Sequence, residues 1–339
     1  MTTAVYVSNA DSGSVSVLAL DEERGTLATL QTVSLGGTLM PMALSPDRRR
    51  LFVARRSEPL AAITLEVDSA TGTLALAGEA PLPASMAYIV PDATGRWLLS
   101  ASYSEHVVAV SRIGDDGIVL PAHQVQRTGE HAHAIRCDAS NRYAFSTSLG
   151  GGVVHQWRFD ERTGLLRENE VAPCLAVRPG AGPRHLAFHP NGRWVYLLNE
   201  LDATLDVLAL DSQRGTLEHH RTVSTLPEGF AGKPWAADVH VLPGGRFIYT
   251  CERTSSTIAG FAVENDGALV RGIGHWPAPA QPRGFQVSAS GRWVTVAGQV
   301  ANRLDAYSID GATGQLAKQS ERETGANPNW VETVALPKR

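Results

Sequence analysis

Arginine, histidine and glutamate side chains recur in a few short segments of this sequence. The segment "GPRHLAFHPNGRWVYLLNE" places Arg184 and His185 at the start of one apolar stretch and Glu200 at the end of the next. "QPRGF" repeats the Pro-Arg pair at Arg283, and "GEHAHA" contains His133. Arginine binds carboxylate or phosphate through two parallel hydrogen bonds and stabilises a developing oxyanion. A histidine or glutamate can serve as general base toward water or a carbon acid. These residue types therefore suit chemistry on a small anionic molecule.

Internal repeats indicate the elements that must position these residues. A pattern of the type "GRW" followed by apolar residues occurs six times, with its arginines 46 to 53 residues apart. These scaffold arginines are Arg49, Arg96, Arg142, Arg193, Arg246 and Arg292. An acidic turn with glycine, as in "VLALDSQRGTL", occurs seven times at a spacing of 45 to 52 residues. The segments between turns are short, and their apolar residues recur with period two, which is typical of β-strands. Seven such units predict an all-β fold, a seven-bladed β-propeller with four antiparallel strands per blade.

The two repeat counts also predict how the ring closes. The first glycine turn has no "GRW" strand pair before it, and "NPNWVETVAL" near the C-terminus looks like an innermost strand without a blade. We therefore expect the N- and C-terminal strands to pair and residues 1–339 to form a single domain. An open tandem array of sheets is the alternative.

The connections between strands divide the predicted polar residues between two faces. Two kinds of turn repeat from blade to blade and look purely structural. One joins the first and second strands of a blade, as "PNG" does, and the other joins the third and fourth strands, as "DERTG" does. The connections on the other face differ between blades, and variable loops on a rigid scaffold commonly carry function. They supply His131, His133, Arg184, His185, Glu200, Asp238, His240, Arg253 and Arg283. We therefore expect a substrate site on that face.

Several of these residues also have a purely structural interpretation. Asp238 and His240 lie in a predicted inner strand, where they could simply form hydrogen bonds between blades. Arg55 and Arg56 are predicted to be solvated surface residues. The scaffold arginines are expected to cap turns or to pair neighbouring blades. Either Glu200 or His133 could be the general base, and the residues alone leave this choice open.

Composition argues against several other functions. The net charge of −4 gives no basic surface for nucleic acid, and no apolar run is long enough for a transmembrane helix. The sequence lacks a G-x-S-x-G elbow, an H-E-x-x-H motif, a Walker loop and a compact acidic cluster for calcium, so we predict no metal site. The N-terminal residues do not resemble a signal peptide, and Cys137, Cys174 and Cys251 suit a reducing compartment. We expect a cytoplasmic monomer.

The motifs "GAGPRHLAFHPNGRW", "PWAADVH", "CERTSS" and "QPRGFQVSASGRW" resemble the seven-bladed lactonase family of bacterial 6-phosphogluconolactonases, and the fungal carboxy-muconate cyclase is similar in fold. The resemblance covers the whole chain. It implies hydrolysis of a small anionic sugar lactone without a cofactor, and a catalytic set of His133, Arg184 and Glu200 with either Arg253 or Arg283.

We predict catalytic and substrate-binding sets from these motifs. The predicted catalytic residues are His133, Arg184, Glu200 and Arg283, and the predicted substrate-binding residues are Arg253, Asp238, His240, His185 and Trp235. A phosphorylated lactone is favoured by the resemblance, and an unphosphorylated aldono- or aldarolactone is the alternative. A non-enzymatic interaction platform is a second alternative, which would require a broad apolar rim.

Overall fold

The computed structural model describes residues 1–337, which form twenty-nine β-strands and one 3₁₀ turn at Asn265–Gly267. The strands are β1 (Thr2–Asn9), β2 (Ser14–Asp21), β3 (Thr26–Ser34), β4 (Leu39–Leu44), β5 (Arg50–Arg55), β6 (Ala61–Val67), β7 (Leu74–Pro81), β8 (Met86–Pro91), β9 (Trp97–Ser102), β10 (Val107–Ile113), β11 (Val119–Arg127), β12 (Ala132–Cys137), β13 (Tyr143–Ser148), β14 (Val153–Asp160), β15 (Leu165–Glu168), β16 (Cys174–Ala176), β17 (Pro183–Phe188), β18 (Trp194–Asn199), β19 (Thr204–Asp211), β20 (Thr216–Ser224), β21 (Ala236–Val241), β22 (Phe247–Glu252), β23 (Thr257–Glu264), β24 (Leu269–Pro277), β25 (Pro282–Val287), β26 (Trp293–Gly298), β27 (Arg303–Ile309), β28 (Leu316–Glu323) and β29 (Pro328–Ala335).

These strands form seven antiparallel sheets arranged as the blades of a propeller, which confirms the predicted fold. From the channel outwards, blade 1 is β29-β1-β2-β3, and blades 2 and 3 are β4-β5-β6-β7 and β8-β9-β10-β11. Blade 4 is β12-β13-β14-β15, with the short β16 also pairing with β14. Blades 5 to 7 are β17-β18-β19-β20, β21-β22-β23-β24 and β25-β26-β27-β28. Each innermost strand contacts the innermost strands of both neighbouring blades, so the ring surrounds one central channel.

Ring closure occurs as the repeat counts predict. The C-terminal β29 is the innermost strand of blade 1 and pairs antiparallel with the N-terminal β1, with Tyr6 opposite Glu332 and Val7 opposite Val331. Blade 1 is therefore built from the two ends of the chain.

Burial follows the position of a strand within its blade. All six residues of β9 and of β13 are buried, because neighbouring blades cover both faces of these second strands. Fourth strands such as β11 are exposed over much of their length, since they face water at the rim. The apolar cores lie between adjacent blades; one joins Tyr143 and Phe145 of blade 4 to Leu197 and Leu208 of blade 5.

The glycine turns and the "GRW" strands join neighbouring blades to one another. Gly215 has φ 66°, and a Cβ at this position would overlap the ring of Tyr143 in the preceding blade. Scaffold arginines bridge the same boundaries: Arg142 donates to the carbonyl oxygen of Ser212 at 3.0 Å, and Arg246 donates to that of Gly311 at 3.0 Å. Arg49 departs from the prediction, because it is exposed and its neighbour Arg50 makes the contact to the carbonyl oxygen of Asp116 in the next blade, at 3.3 Å. The blades therefore form a rigid frame around the channel. Over residues 1–337 there is no helix of the length and apolarity needed to cross a membrane.

Candidate active site

Every blade has a register shift at the same place, near the start of its innermost strand. There the innermost strand carries residues that have no partner on the second strand. These residues are Asn329 in blade 1, Met40 and Pro41 in blade 2, Ala87 in blade 3, His133 in blade 4, Arg184 in blade 5, Ala237 in blade 6 and Arg283 in blade 7. A β-bulge bends its strand and redirects a side chain, and bulges are frequent beside active sites. Three of the four predicted catalytic residues occupy this bulge position.

A second ring of residues follows the second strand of each blade. Its members are Ala10, Arg56, Tyr103, Leu149, Glu200, Arg253 and Gln299. In blades 1, 2, 4, 5, 6 and 7 the backbone N–H of this residue donates to a carbonyl in the segment that leads into the innermost strand, as Glu200 does to Gly182 at 2.7 Å. This bond places the second ring next to the bulge. Glu200 and Arg253 therefore lie close to Arg184 because the same position recurs in adjacent blades.

Glu200 lies between two buried guanidinium groups. Its Oε2 accepts hydrogen bonds from Nε of Arg184 at 2.7 Å and from Nη2 of Arg253 at 2.9 Å. Its Oε1 accepts one from the indole N–H of Trp235 at 3.2 Å. Burial favours the neutral acid, but the charges of the two arginines outweigh burial and lower the pKa of Glu200. The carboxylate is therefore ionised at neutral pH, and both of its oxygens are engaged.

Arg184 is 1% exposed and is the largest fully buried side chain. Besides Glu200, it donates from Nη1 to the carbonyl oxygen of Ala237 and toward Nε2 of His185, which lies 3.1 Å away. An isolated buried charge would be very costly, so these contacts are what allow the guanidinium to lie in the channel wall. Among residues 1–337 nothing hydrogen-bonds its Nη2, which leaves that group able to bind a ligand.

Arg253 is stacked on Trp235. Its guanidinium carbon lies 3.8 Å from the centre of the indole ring, and its Nε donates to the carbonyl oxygen of Trp235 at 3.0 Å. Glu252 accepts the backbone N–H of Trp235 at 2.6 Å and so holds this segment against the second ring. Burial, followed by the charge of Arg184, lowers the pKa of Arg253 to about 10. The group remains a cation at neutral pH, and the half-exposed indole forms the outer wall of the site.

His133 is 4% exposed, and its Nδ1 is buried and makes no hydrogen bond within the described chain. The imidazole lies edge-on to His185, with ring centres 5.1 Å apart, and 6.0 Å from the ring of Tyr103. Burial and the nearby charge of Arg184 lower the pKa of His133 well below its usual value. The imidazole is therefore neutral at neutral pH and able to accept a proton.

Arg283 lies in the same constellation but has no acidic partner. No hydrogen bond or ion pair engages its guanidinium anywhere in residues 1–337. Burial and the charge of Arg184 lower its pKa to about 9, and Arg253 and Arg56 act in the same direction. Several cations thus surround the single carboxylate of Glu200, so a bound anion would relieve their mutual repulsion.

The structure places His185, Asp238 and His240 beside this cluster but in a different cavity. They line a cavity of about 390 Å³ that also involves Ser45 and Arg48, in the turn between β4 and β5 on the opposite face. His185 directly follows a bulge residue, as Asp238 does in the next blade, so neither occupies the bulge position that turns Arg184 toward the channel. The prediction that all three contact substrate stays untested, and their positions are behind the arginine cluster.

These three residues form a hydrogen-bonded chain that ends at Arg184. Nδ1 of His185 lies 2.8 Å from Oδ1 of Asp238, whose Oδ2 lies 3.1 Å from Nε2 of His240. Burial lowers the pKa of His185 to about 4, while the neighbouring histidines outweigh burial and lower the pKa of Asp238. A neutral His185 beside an ionised Asp238 carries its proton on Nδ1. Its Nε2 is then the acceptor that faces Arg184.

Two residues at this site escaped the sequence prediction. Arg56 belongs to the second ring and directs its guanidinium inward, donating from Nε to Oγ of Ser85 at 3.1 Å. The prediction that Arg55 and Arg56 are solvated is wrong, because Arg55 is also largely buried and pairs with Glu79 at 3.0 Å. Tyr103, at the equivalent position in blade 3, stacks on His131 with ring centres 4.1 Å apart. Aligning the seven second-strand ends would have found both.

The donor set does not resemble a metal centre. Within the described part of the chain, no group of three or more His, Cys, Asp or Glu side chains is arranged to hold a metal ion. The carboxylate nearest the arginines is Glu200, and it is already bound by two guanidinium groups and an indole. The arrangement can instead bind an anion, stabilise an oxyanion and accept a proton.

Known proteins share both the sequence and the fold. The chain is 38% identical over 336 residues to 6-phosphogluconolactonases of Pectobacterium carotovorum and Serratia proteamaculans, covering 99% of this chain and all of each relative. A periplasmic gluconolactonase of Pseudomonas aeruginosa superposes with a TM-score of 0.91 at 27% identity, covering 99% of this chain and all of that one. Residues 2–333 match the family described as "Lactonase, 7-bladed beta-propeller". The chain therefore belongs to the seven-bladed β-propeller lactonase family.

Proposed function

We propose that this enzyme hydrolyses 6-phosphogluconolactone to the open-chain phosphorylated sugar acid. The observation that carries the proposal is the cluster in which Glu200 orders the buried Arg184 and Arg253 beside a neutral His133. It combines a proton acceptor with cations suited to an oxyanion, which is what attack of water on a lactone carbonyl requires. The names of the bacterial relatives at 38% identity support the phosphorylated substrate.

In the proposed reaction, His133 removes a proton from water as the water oxygen attacks the lactone carbonyl carbon. The carbonyl oxygen becomes an oxyanion, which Nη2 of Arg184 and Nη1 of Arg253 stabilise. When the tetrahedral intermediate collapses, the bond from the carbonyl carbon to the ring oxygen breaks. The ring oxygen takes the proton from the His133 imidazolium and becomes the hydroxyl of the product.

We assign the base to His133 rather than Glu200 because of what each group already binds. The Glu200 carboxylate accepts hydrogen bonds from two arginines and an indole, and these favour its ionised form and weaken it as a base. Neither ring nitrogen of His133 makes a hydrogen bond in residues 1–337, and because Nδ1 is buried, Nε2 is the nitrogen that water can reach. In this proposal Glu200 holds the two guanidinium groups in place.

An unphosphorylated sugar lactone is the second candidate substrate. The Pseudomonas aeruginosa protein that shares this fold at 27% identity is a gluconolactonase. The chemistry at the carbonyl carbon would be the same, so only recognition of the substituent on carbon 6 distinguishes the two.

The test is hydrolysis followed in a pH-stat with 6-phosphogluconolactone, gluconolactone and an aldarolactone as substrates. We expect the highest kcat/KM with 6-phosphogluconolactone. His133→Asn should lower kcat by about a hundredfold or more, the usual scale for a general base. Normal rates for both His133→Asn and Glu200→Gln would place the active site elsewhere, and absence of lactone hydrolysis by the wild-type protein would refute the function.

We also propose that the protein acts in the cytoplasm as a monomer. Cys174 is an exposed free thiol, and Cys137 and Cys251 are unpaired as well, which suits a reducing compartment. Cell fractionation and light scattering test the two statements separately.

A further inference from the structure

One sector of the channel mouth holds two arginines that the proposed reaction does not use. Arg283 occupies the bulge position of blade 7, and Arg56 occupies the second-ring position of blade 2. Blade 1 lies between them and contributes Ala10 and Asn329 at the corresponding positions, which are small and uncharged. The reacting groups belong to blades 4 to 6, and the charges of Arg184 and Arg253 act on Arg283 from the adjoining side of the channel.

Most of the hydrogen-bond donors on these two arginines are unused. A guanidinium has five N–H donors. Arg56 directs one to Oγ of Ser85 at 3.1 Å and one to the sulfur of Met40 at 3.4 Å, which is a weak acceptor. Arg283 makes no hydrogen bond to any residue within 1–337. Met40 lies in the innermost strand of blade 2, so the Arg56 guanidinium reaches the channel itself.

Nearby carboxylates do not neutralise the pair. Glu105 is the acidic residue whose charge acts on Arg56, but within residues 1–337 the two form no ion pair, and the Glu105 carboxylate is instead held by Ser102 at 2.5 Å and Ser104 at 2.7 Å. Glu200 is held by Arg184 and Arg253. Two cations remain without an ion-pair partner among the described residues, inside a half-buried wall where an unpaired charge is costly. Such a site is suited to an anion supplied by the ligand.

The adjacent Arg55 shows that this arrangement is specific to Arg56. Successive residues at the end of β5 point to opposite sides, and Arg55 pairs with Glu79 of β7 at 3.0 Å and donates to the carbonyl oxygen of Pro59 at 2.9 Å. Arg55 is therefore neutralised within blade 2, whereas Arg56 is turned toward the channel.

We propose that Arg56 and Arg283 form the phosphate-binding subsite and so determine the preference for a phosphorylated lactone. This inference rests on the proposed function. In a 6-phosphosugar δ-lactone the carbonyl carbon and the carbon that bears the phosphate arm flank the ring oxygen, and the two groups project from the ring in different directions. With the carbonyl at Arg184 and Arg253, the phosphate arm reaches the neighbouring Arg283 and, beyond it, Arg56, whose charges act on one another. Phosphate offers several acceptor oxygens to the paired N–H groups of two guanidinium forks.

The first test is the ratio of kcat/KM for 6-phosphogluconolactone to that for gluconolactone. We expect Arg56→Gln and Arg283→Gln each to lower this ratio by about tenfold or more, the scale of one hydrogen bond to a charged group. Arg55→Gln is the matched control and should leave the ratio within about twofold of the wild type, an estimate from its lying outside the subsite. A wild-type enzyme that hydrolyses 6-phosphogluconolactone, with an unchanged ratio in both variants, overturns the subsite and keeps the function.

A binding measurement tests the subsite without turnover. Calorimetric titration with the products 6-phosphogluconate and gluconate should show tighter binding of the phosphorylated acid by the wild-type protein. Arg56→Gln should lower the ratio of the affinity for 6-phosphogluconate to that for gluconate by about tenfold. Arg56→Lys should lower this ratio less, because lysine keeps the charge but not the two-pronged guanidinium. Equal affinity of the wild-type protein for both acids overturns the proposal even if no lactone is hydrolysed. Thermal melts verify that each variant is folded.

Discussion

At the scale of single residues, burial and the neighbouring arginines together give two potential bases different protonation states. His133 is deprived of solvent and faces cations, so its neutral form is favoured. Glu200 is also buried, but the guanidinium groups of Arg184 and Arg253 touch it directly and favour its charged form. The same positive environment thus keeps His133 neutral and able to accept a proton, and keeps Glu200 ionised and bound to the two arginines.

The pH dependence of the reaction follows from these two shifts. Only the neutral imidazole of His133 can take a proton from water, so kcat/KM should rise with pH through the pKa of His133 and then level off. Because burial and the arginines lower that pKa, the rising limb should have its midpoint below about 6.5, the value of an unperturbed histidine. Rates corrected for spontaneous hydrolysis provide the measurement. A midpoint above that value would contradict the assignment of His133 as the base. If the rise of kcat/KM with pH persists in His133→Asn, another group is the base.

Asp238 should act on Arg184 through His185. By accepting the Nδ1 proton of His185, it leaves Nε2 as an acceptor for the guanidinium. In Asp238→Asn the amide can donate instead, and the imidazole then carries its proton on Nε2 and repels the Arg184 N–H. We expect kcat/KM to fall by about tenfold, since one charge-assisted hydrogen bond is lost. Imidazole ¹⁵N shifts provide the control: wild-type His185 should be protonated on Nδ1, and protonation on Nε2 would contradict the chain.

The sequence was sufficient to predict most of the residues in the cluster and the face on which they lie. It was not sufficient to predict which of the polar residues on that face contact one another. "GPRH", "NELD" and "CERT" indicate Arg184, Glu200 and Arg253 because ordinary turns do not need those side chains. Arg56 was missed since its loop looks like a charged surface turn, and its direction depends on the strand alternation at the end of β5. That His185 lines a different cavity from the one Arg184 faces depends on the bulge, which changes the side of the strand on which each residue lies.

At the scale of elements, the joint between blades depends on a glycine packed against a ring. Gly164 packs against the ring of Trp97, Gly215 against that of Tyr143 and Gly267 against that of Trp194, in each case across a blade boundary. The glycine permits both the positive φ of the turn and the close approach of the ring. This joint fixes the angle between blades and hence the position of each bulge around the channel.

Substitution of one such glycine should therefore cost more than its backbone conformation alone. Gly215→Ala introduces a Cβ that overlaps Tyr143 at φ 66°, whereas Gly192→Ala places one in open space at φ 69°. We expect Gly192→Ala to destabilise by about 1–2 kcal/mol through the left-handed backbone. Gly215→Ala should lose about 1–3 kcal/mol more through overpacking. Urea denaturation measures both, and equal losses would mean that the ring does not constrain the turn.

Strands and turns were predictable from the sequence because their signals are local. Apolar residues with period two and recurrent glycines define each strand and each turn. The bulges were not predictable, because a bulge is a difference in register between two strands and has no characteristic residue composition. "AHAIRC" and "PRGFQV" look like regular strands, and only pairing with β13 and β26 shows which residue is left over.

At the scale of the whole molecule, closure of the ring joins the two ends of the chain at the active channel. β29 supplies Asn329 to the bulge ring, and Trp330 packs against both Tyr88 and His185, with ring centres 5.5 and 5.8 Å away. Val331 and Val334 fill the cores on either side of blade 1. The C-terminal strand therefore contributes at once to blade 1, to its two neighbours and to the wall of the site.

Removal of residues 328–339 should consequently prevent cooperative folding of the whole domain. Without β29, β1 has an unpaired edge, and the innermost strands β25 and β4 lose the element between them. Thermal melting by circular dichroism and size-exclusion chromatography should show an aggregated or non-cooperative chain, because exposed edges and apolar surface favour association. A circular permutant that joins the termini through a flexible linker and opens the chain between β3 and β4 keeps every strand pair, so it should melt cooperatively. If the truncated protein instead melts in one sharp transition near the wild-type temperature, closure by β29 is not what holds the ring together. Blades 1 and 7 must then be stable without the strand pairing that β29 provides.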